Sequence, residues 1–229
     1  MTVPDRLLEE IAALGVHWHG AGTVSDSVLQ GIPRLVRGPV RNSVETGTGR
    51  STLLLSHLSE HHLVFTRDDA GDGDSLERVR TSPLLQAPAV EFILGPTQLT
   101  IPRKQFEGSL DLVLIDGPHA FPFPDLEYYY LYPHIRPGGL LIVDDIQIPS
   151  IRFMYRFLAK DDMWDLAAVI GTTAFFRRTE APPFDPLGDG WWLQGYNKAV
   201  FRKGHLMWLP TAIRTPLRNV WRAFRPERF

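Results

Sequence analysis

The chain reads as an α/β protein built on a mostly parallel, Rossmann-like sheet with helices on both faces. Three observations lead there. Short apolar runs of strand length alternate with stretches of helical periodicity, the spacing of βαβ units. A glycine turn, Gly47-Thr48-Gly49, stands between the first of those runs and an apolar stretch of helical length. Acids recur where strands stop, at Glu45, Asp68, Asp116, Asp144 and Asp145. Ligands of parallel sheets gather at those carboxyl ends.

Composition narrows the field. The 229 residues allow one domain of ordinary size, or one plus a small appendage, and a content of 44% hydrophobic and 22% charged residues suffices for a full core. A formal charge of −2 gives no general electrostatic reason to bind nucleic acid. The absence of cysteine excludes disulfides, thiolate nucleophiles and Cys-ligated zinc. The opening stretch, MTVPDRLLEEIAALG, is amphipathic and carries acids, unlike a signal peptide. No apolar run approaches the ~20 residues of a membrane span. The expectation is a soluble cytoplasmic protein without a transmembrane segment.

Each element has its own warrant. Residues 5–14 place Leu7, Leu8, Ile11, Ala12 and Leu14 near one helical face, and a second helix is expected from Ser25 or Asp26. His17 and His19 lack a third local ligand and read as ordinary surface. Pro39 to Ser43 is a short extended run leading into the glycine turn, and Leu53 to Leu58 is the helix after it. His62 to Thr66 is a compact strand ending at Arg67-Asp68-Asp69. Leu76 to Leu85 is helical, and Val90 to Leu94 is a third strand ending at Gly95-Pro96-Thr97-Gln98. Asp111 to Asp116 is apolar throughout its middle, the mark of a strand buried on both faces. A helix over Pro124 to His134 carries Tyr128 to Tyr130. A turn at Arg136 to Gly139 leads into the strand Leu140 to Val143, which ends in Asp144-Asp145. Ile151 to Leu158 is a helix and Trp164 to Ile170 a strand. Pro182 to Gly195, with Trp191 and Trp192, reads as a loop, and Asn197 to Arg202 as a last strand pairing with Trp164 to Ile170. From His205 an amphipathic, arginine-edged helix follows, suited to docking on its own domain or on a second copy in a homo-oligomer. The expected organisation is a helical lead-in over 1–38, a core over 39–204 and this tail over 205–229.

The glycine turn needs glycine because a Cβ obstructs a tight bend close to a ligand. A dinucleotide fingerprint asks for a small third residue where this chain has Thr52. Glu45-Thr46-Gly47-Thr48-Gly49-Arg50-Ser51 instead resembles the first motif of class I S-adenosylmethionine-dependent methyltransferases. The resemblance implies a seven-stranded, mostly parallel sheet and a cofactor site of Glu45, Thr46, Gly47, Gly49, Ser51 and Asp116. In it, Glu45 helps to hold the cofactor's ammonium group, Asp68 (or Asp69) grips its ribose, and Thr97 and Gln98 flank its adenine.

Carboxylates converging on a wet strand edge repel unless a cation sits among them, and Mg²⁺ with oxygen ligands suits that arrangement. His119, three residues past Asp116, has the ordinary pKa of a general base. Asp116-Gly117-Pro118-His119 and the run from Gly138-Gly139 to Asp144-Asp145 are similar to the macrocin/mycinamicin-type sugar O-methyltransferases. That similarity covers roughly residues 40–150. It implies Asp116, Asp144 and Asp145 as metal ligands, His119 as base, and O-methylation of a small hydroxylated acceptor, a sugar moiety or natural product. The same acids also suit a plain turn at Asp116-Gly117 and a helix N-cap at Asp144-Asp145. A catechol-like aromatic O-methyltransferase and a non-catalytic SAM- or nucleotide-binding partner subunit are the rival functions. The rings of Phe121, Phe123, Tyr128 to Tyr130, Trp191, Trp192 and Tyr196 are candidates for the acceptor's walls.

Overall fold

The computed structural model describes residues 5–15, 18, 23–67, 75–183 and 194–197. The chain divides into two compact units, Met1–Pro183 and Phe184–Phe229. His17, His19, Asp68, Asp69, Trp191, Trp192, residues 198–202 and the tail over 205–229 lie outside the described residues.

The first unit holds one seven-stranded sheet. Its strands are β1 (Val40–Thr46), β2 (Ser59–Thr66), β3 (Val90–Leu94), β4 (Leu110–Ile115), β5 (Ile135–Val143), β6 (Trp164–Ile170) and β7 (Thr173–Arg178). The order across the sheet is β3-β2-β1-β4-β5-β7-β6. The first five pair in parallel, and β7 runs antiparallel to both β5 and β6. The order reverses between β1 and β4, so the crevice at their carboxyl ends is where a doubly wound sheet receives a ligand.

The helices are α1 (Asp5–Ala13), α2 (Asp26–Leu35), α3 (Arg50–Leu58), α4 (Ser75–Thr81), α5 (Thr97–Thr100), α6 (Phe123–Leu131) and α7 (Pro149–Leu158). Two apolar layers result from the pleat of β4 and β5, whose alternate residues face opposite sides. Leu112, Leu114, Leu140 and Ile142 pack with Ile11 of α1, Leu29 and Ile32 of α2, and Leu53 to Leu55 of α3. Val113, Ile115, Leu141 and Val143 pack with Leu131 of α6 and Ile151, Met154 and Leu158 of α7.

Two expectations shift. The antiparallel partner of β6 is Thr173–Arg178, and Asn197, expected to open the last strand, is helical. The arginines ending β7 disguised it, yet both are buried: Arg177 donates to the carbonyls of Leu35 and Gly138, and Arg178 to those of Thr179 and Ala181. The turn expected over Arg136 to Gly139 lies inside β5, as a slip in register between the pairs Leu110–Ile135 and Leu112–Leu140.

Candidate active site

The site forms where β1, β4 and β5 end. Gly47 follows β1 with φ +92°, and a Cβ there would collide with the carbonyl oxygen of Asp116. Only glycine lets the turn cross that closely. The Gly49 N–H donates to Thr52 Oγ1 at 3.0 Å, which closes the start of α3.

The side chains of the glycine motif are engaged within the protein. Buried Glu45 accepts from Ser51 Oγ on one carboxylate oxygen and from Thr52 Oγ1, at 2.7 Å, on the other. His62 Nε2 lies 3.3 Å from that second oxygen, and its Nδ1 meets Ser43 Oγ at 2.7 Å. Thr46 Oγ1 donates to Glu127 Oε2 at 2.8 Å and accepts from the Asp116 N–H at 3.1 Å. A ligand seated on this turn therefore meets backbone, together with the Thr48 hydroxyl. Thr48 Oγ1 and Thr97 Oγ1 are buried without a hydrogen bond among the described residues. Polar atoms buried in that state call for a partner, and a polar cofactor would supply one. Gln98 is partly buried beside Thr97 at the start of α5.

The structure brings Asp116, His119 and Asp145 together, with one ligand atom from each lying within 4.8 Å of the others. His119 Nε2 is 3.2 Å from Asp145 Oδ2 and 3.7 Å from Asp116 Oδ1. Ser150 Oγ of α7 donates to the His119 carbonyl at 2.5 Å and so pins its loop. Asp145 has φ 56°, a left-handed conformation uncommon outside glycine but one that aspartate takes more readily than most side chains. Gln147 Nε2 donates to its Oδ1 at 2.6 Å. Asp144 stands apart from this triad: it is buried and accepts from Thr173 Oγ1.

The electrostatics follow from crowding. Burial pushes the Asp116 carboxyl up to about 7, with Asp144 and Glu45 adding to the rise and His119 opposing it. Burial likewise raises Asp144. His119 is raised by Asp116 first, then by Asp145 and Asp144, against its own partial burial. An oxygen-and-imidazole set so crowded with negative charge fits a hard divalent cation.

Glu127 was not legible in advance. It lies on α6, 1% exposed, against Gly117, where any Cβ would collide with its carboxylate. Burial pushes it up to about 7, against the pull of the Thr97 and Thr46 hydroxyls. Its Oε1 and Thr97 Oγ1 do not reach hydrogen-bond geometry. An acid next to the tyrosine run, on a helix that also carries Asp125, was the only signal.

Residues 44–146 match a family model described as a methyltransferase domain. No curated protein matches the chain. Among solved structures it is similar to the O-methyltransferase TomG from Streptomyces achromogenes, involved in tomaymycin synthesis and in complex with SAM. The TM-score is 0.55 at 18% identity, covering 78% of this chain and 92% of that one. An O-methyltransferase from Bacillus cereus in complex with SAH gives 0.51 at 20% identity, covering 78% and 93%. The MycE methyltransferase of the mycinamycin biosynthetic pathway, in complex with Mg, SAH and mycinamycin VI, gives 0.50 at 15% identity, covering 80% and 57%. At these identities the likeness is one of fold.

Proposed function

We propose, for a chain whose residues 44–146 match a methyltransferase-domain model, that it moves a methyl group from S-adenosylmethionine to a hydroxyl of a small acceptor, a sugar moiety or natural product, with a divalent cation's help. The observation that carries this reading is the Asp116–His119–Asp145 triad at the carboxyl edge of the sheet, beside the glycine turn. The TomG and MycE structures, one with SAM and one with Mg and SAH, support it by fold.

Asp116 and Asp145 would hold the cation, with Asp144 adding negative charge from behind. Mg²⁺ bound there would lower the pKa of an acceptor hydroxyl and offset the repulsion among the carboxylates. S-adenosylmethionine would supply an electrophilic methyl group on a sulfonium, whose sulfur would leave with the bonding pair as the neutral thioether S-adenosylhomocysteine. The glycine turn, Thr48, Thr97 and Gln98 would bind that cofactor, with Asp68 on its ribose. His119 would accept the hydroxyl proton at Nε2 as the oxygen attacks, since Nε2 faces the two carboxylates rather than the core. Orientation of the two reactants carries much of the rate.

Calorimetric titration of S-adenosylmethionine and S-adenosylhomocysteine, with Mg²⁺ and with EDTA, tests the reading. Binding in the micromolar range or tighter is expected. No binding in either buffer would overturn it.

A further inference from the structure

Beside the triad, on the far side of Gln147, lies a second polar feature that the proposed chemistry does not use. A cleft of about 340 Å³ opens between the loop after β5, the turn joining β6 to β7, and α7. Arg152 and Arg156 of α7 line it, with Tyr155 between them and Gln147 and Thr172 opposite.

The cations are arranged rather than merely present. Arg152 Nη2 donates to the Gln147 carbonyl at 2.8 Å, and its Nε to the Ile146 carbonyl at 3.4 Å. Main-chain carbonyls thus hold this guanidinium against the very loop that carries Asp145. Arg156 stands one helical turn further along, with no hydrogen bond or ion pair among the described residues. Like charges at that spacing repel, and no carboxylate among the described residues lies within ion-pair distance of either one. A guanidinium fork matches phosphate and carboxylate oxygens two at a time. Both side chains are exposed to solvent, and an anion seated between them would offset their repulsion.

The cleft also has a defined neighbour. Gln147 lines it and donates to Asp145 at 2.6 Å, and Asp145 is 3.2 Å from His119. One side chain separates the cleft from the triad. A molecule whose hydroxyl reaches His119 can place a second group between the two arginines.

We propose that this cleft is the subsite for an anionic group, a phosphate or carboxylate, carried by the hydroxylated acceptor itself. The proposal rests on the methyltransferase reading and adds the acceptor's charge to it.

The test uses the full chain with S-adenosylhomocysteine present, following arginine Nε–Hε signals by NMR. Inorganic phosphate, glucose 6-phosphate and glucose are the probes. Phosphate is expected to shift the Arg152 and Arg156 signals saturably, and glucose alone is expected to leave them unmoved. Glucose 6-phosphate is expected to bind at least about fivefold more tightly than phosphate. Arg156→Gln, which removes no contact described in the protein, is expected to weaken both by about tenfold or more, and Arg152→Gln/Arg156→Gln to abolish both. Absence of a saturable shift, or undiminished binding to the double variant, would overturn the subsite. Equal affinity for the two phosphates would overturn its assignment to the acceptor. Titration of S-adenosylhomocysteine into the chain alone, before any probe is added, separates the two levels of inference. Normal binding there without an anion response sinks the subsite alone. An anion response without cofactor binding sinks the methyltransferase reading.

Discussion

At the scale of single residues, Gly47 and Glu127 decide how β1 and β4 end. Gly47→Ala adds a Cβ both at φ +92° and against the Asp116 carbonyl. Strain of that kind costs about 1–3 kcal/mol, so a lower denaturation midpoint and weaker S-adenosylhomocysteine binding are expected together. Unchanged binding would detach the turn from the cofactor. Glu127 makes a prediction in pH. Its carboxyl lies at about 7 in the fold against an ordinary 4.5, so the folded chain keeps a proton that the unfolded chain releases. Stability from this group is full below the lower value and is lost as pH rises through the higher one, by up to about 3 kcal/mol. Glu127→Gln should flatten the fall in melting temperature between about pH 5 and about pH 8, while Asp116, raised in the same direction, leaves a residual slope. An identical slope in the variant would refute the assignment. On the proposed reading the triad splits by role. Asp145→Asn is expected to weaken Mg²⁺ binding, whereas His119→Gln should keep the metal and lose about 10²–10⁴-fold in turnover; loss of Mg²⁺ binding in both would make His119 a ligand. Gly47, Asp116, His119 and Asp145 were readable because each sits at or just past a strand's end, a position that local pattern reveals. Glu127 and Thr173 were not, because their partners, Thr46 and Asp144, arrive from distant parts of the chain.

At the scale of elements, the start of α3 shows how one hydroxyl can serve two purposes. Thr52 Oγ1 accepts from the Gly49 N–H and donates to Glu45. Thr52→Val keeps the shape and removes both bonds, leaving a buried carboxylate oxygen and a buried N–H underserved, at about 1–3 kcal/mol. Equilibrium unfolding of the variant measures that loss, and a change below about 0.5 kcal/mol would mean that neither bond matters. The same contacts explain what the motif hid. An acid two residues before a glycine reads as a ligand-binding group, but Ser51, Thr52 and His62 all point at it, and helix periodicity does not report where such hydroxyls turn. The strands were legible in proportion to their apolarity. Leu112 to Ile115 of β4 and Leu140 to Val143 of β5 are buried and read as unbroken apolar runs. β7 is just as buried, but Arg177 and Arg178 end it; the carbonyls of Leu35 and Gly138 receive the first, and those of Met163, Thr179 and Ala181 the second.

At the scale of the whole described unit, the lead-in over 1–38 was expected to cap the core, and its side chains reach deep into it. Leu7, Ile11, Val24, Val28, Leu29 and Ile32 are buried in the same apolar cluster as Leu112, Leu140 and Phe175. Arg50, the first residue of α3, is buried too. It reaches back to Thr23 Oγ1 at 3.1 Å, to the Val24 carbonyl at 2.8 Å and to Asp26 at 2.7 Å. The glycine turn and the lead-in are therefore tied by a buried cation as well as by packing. Each of those six apolar side chains contributes about 1.5–3 kcal/mol on burial, and a domain's net stability is only about 5–15 kcal/mol. Removing residues 1–38 should leave a chain without a cooperative unfolding transition. Ile11→Ala, a gentler change at a site with no exposure, should cost about 2–5 kcal/mol and leave the fold intact. Circular dichroism of both chains against temperature distinguishes the outcomes. If the truncated chain melted cooperatively near the parent's temperature, the lead-in would be a detachable cap, and the Arg50 contacts would have no part in holding the turn.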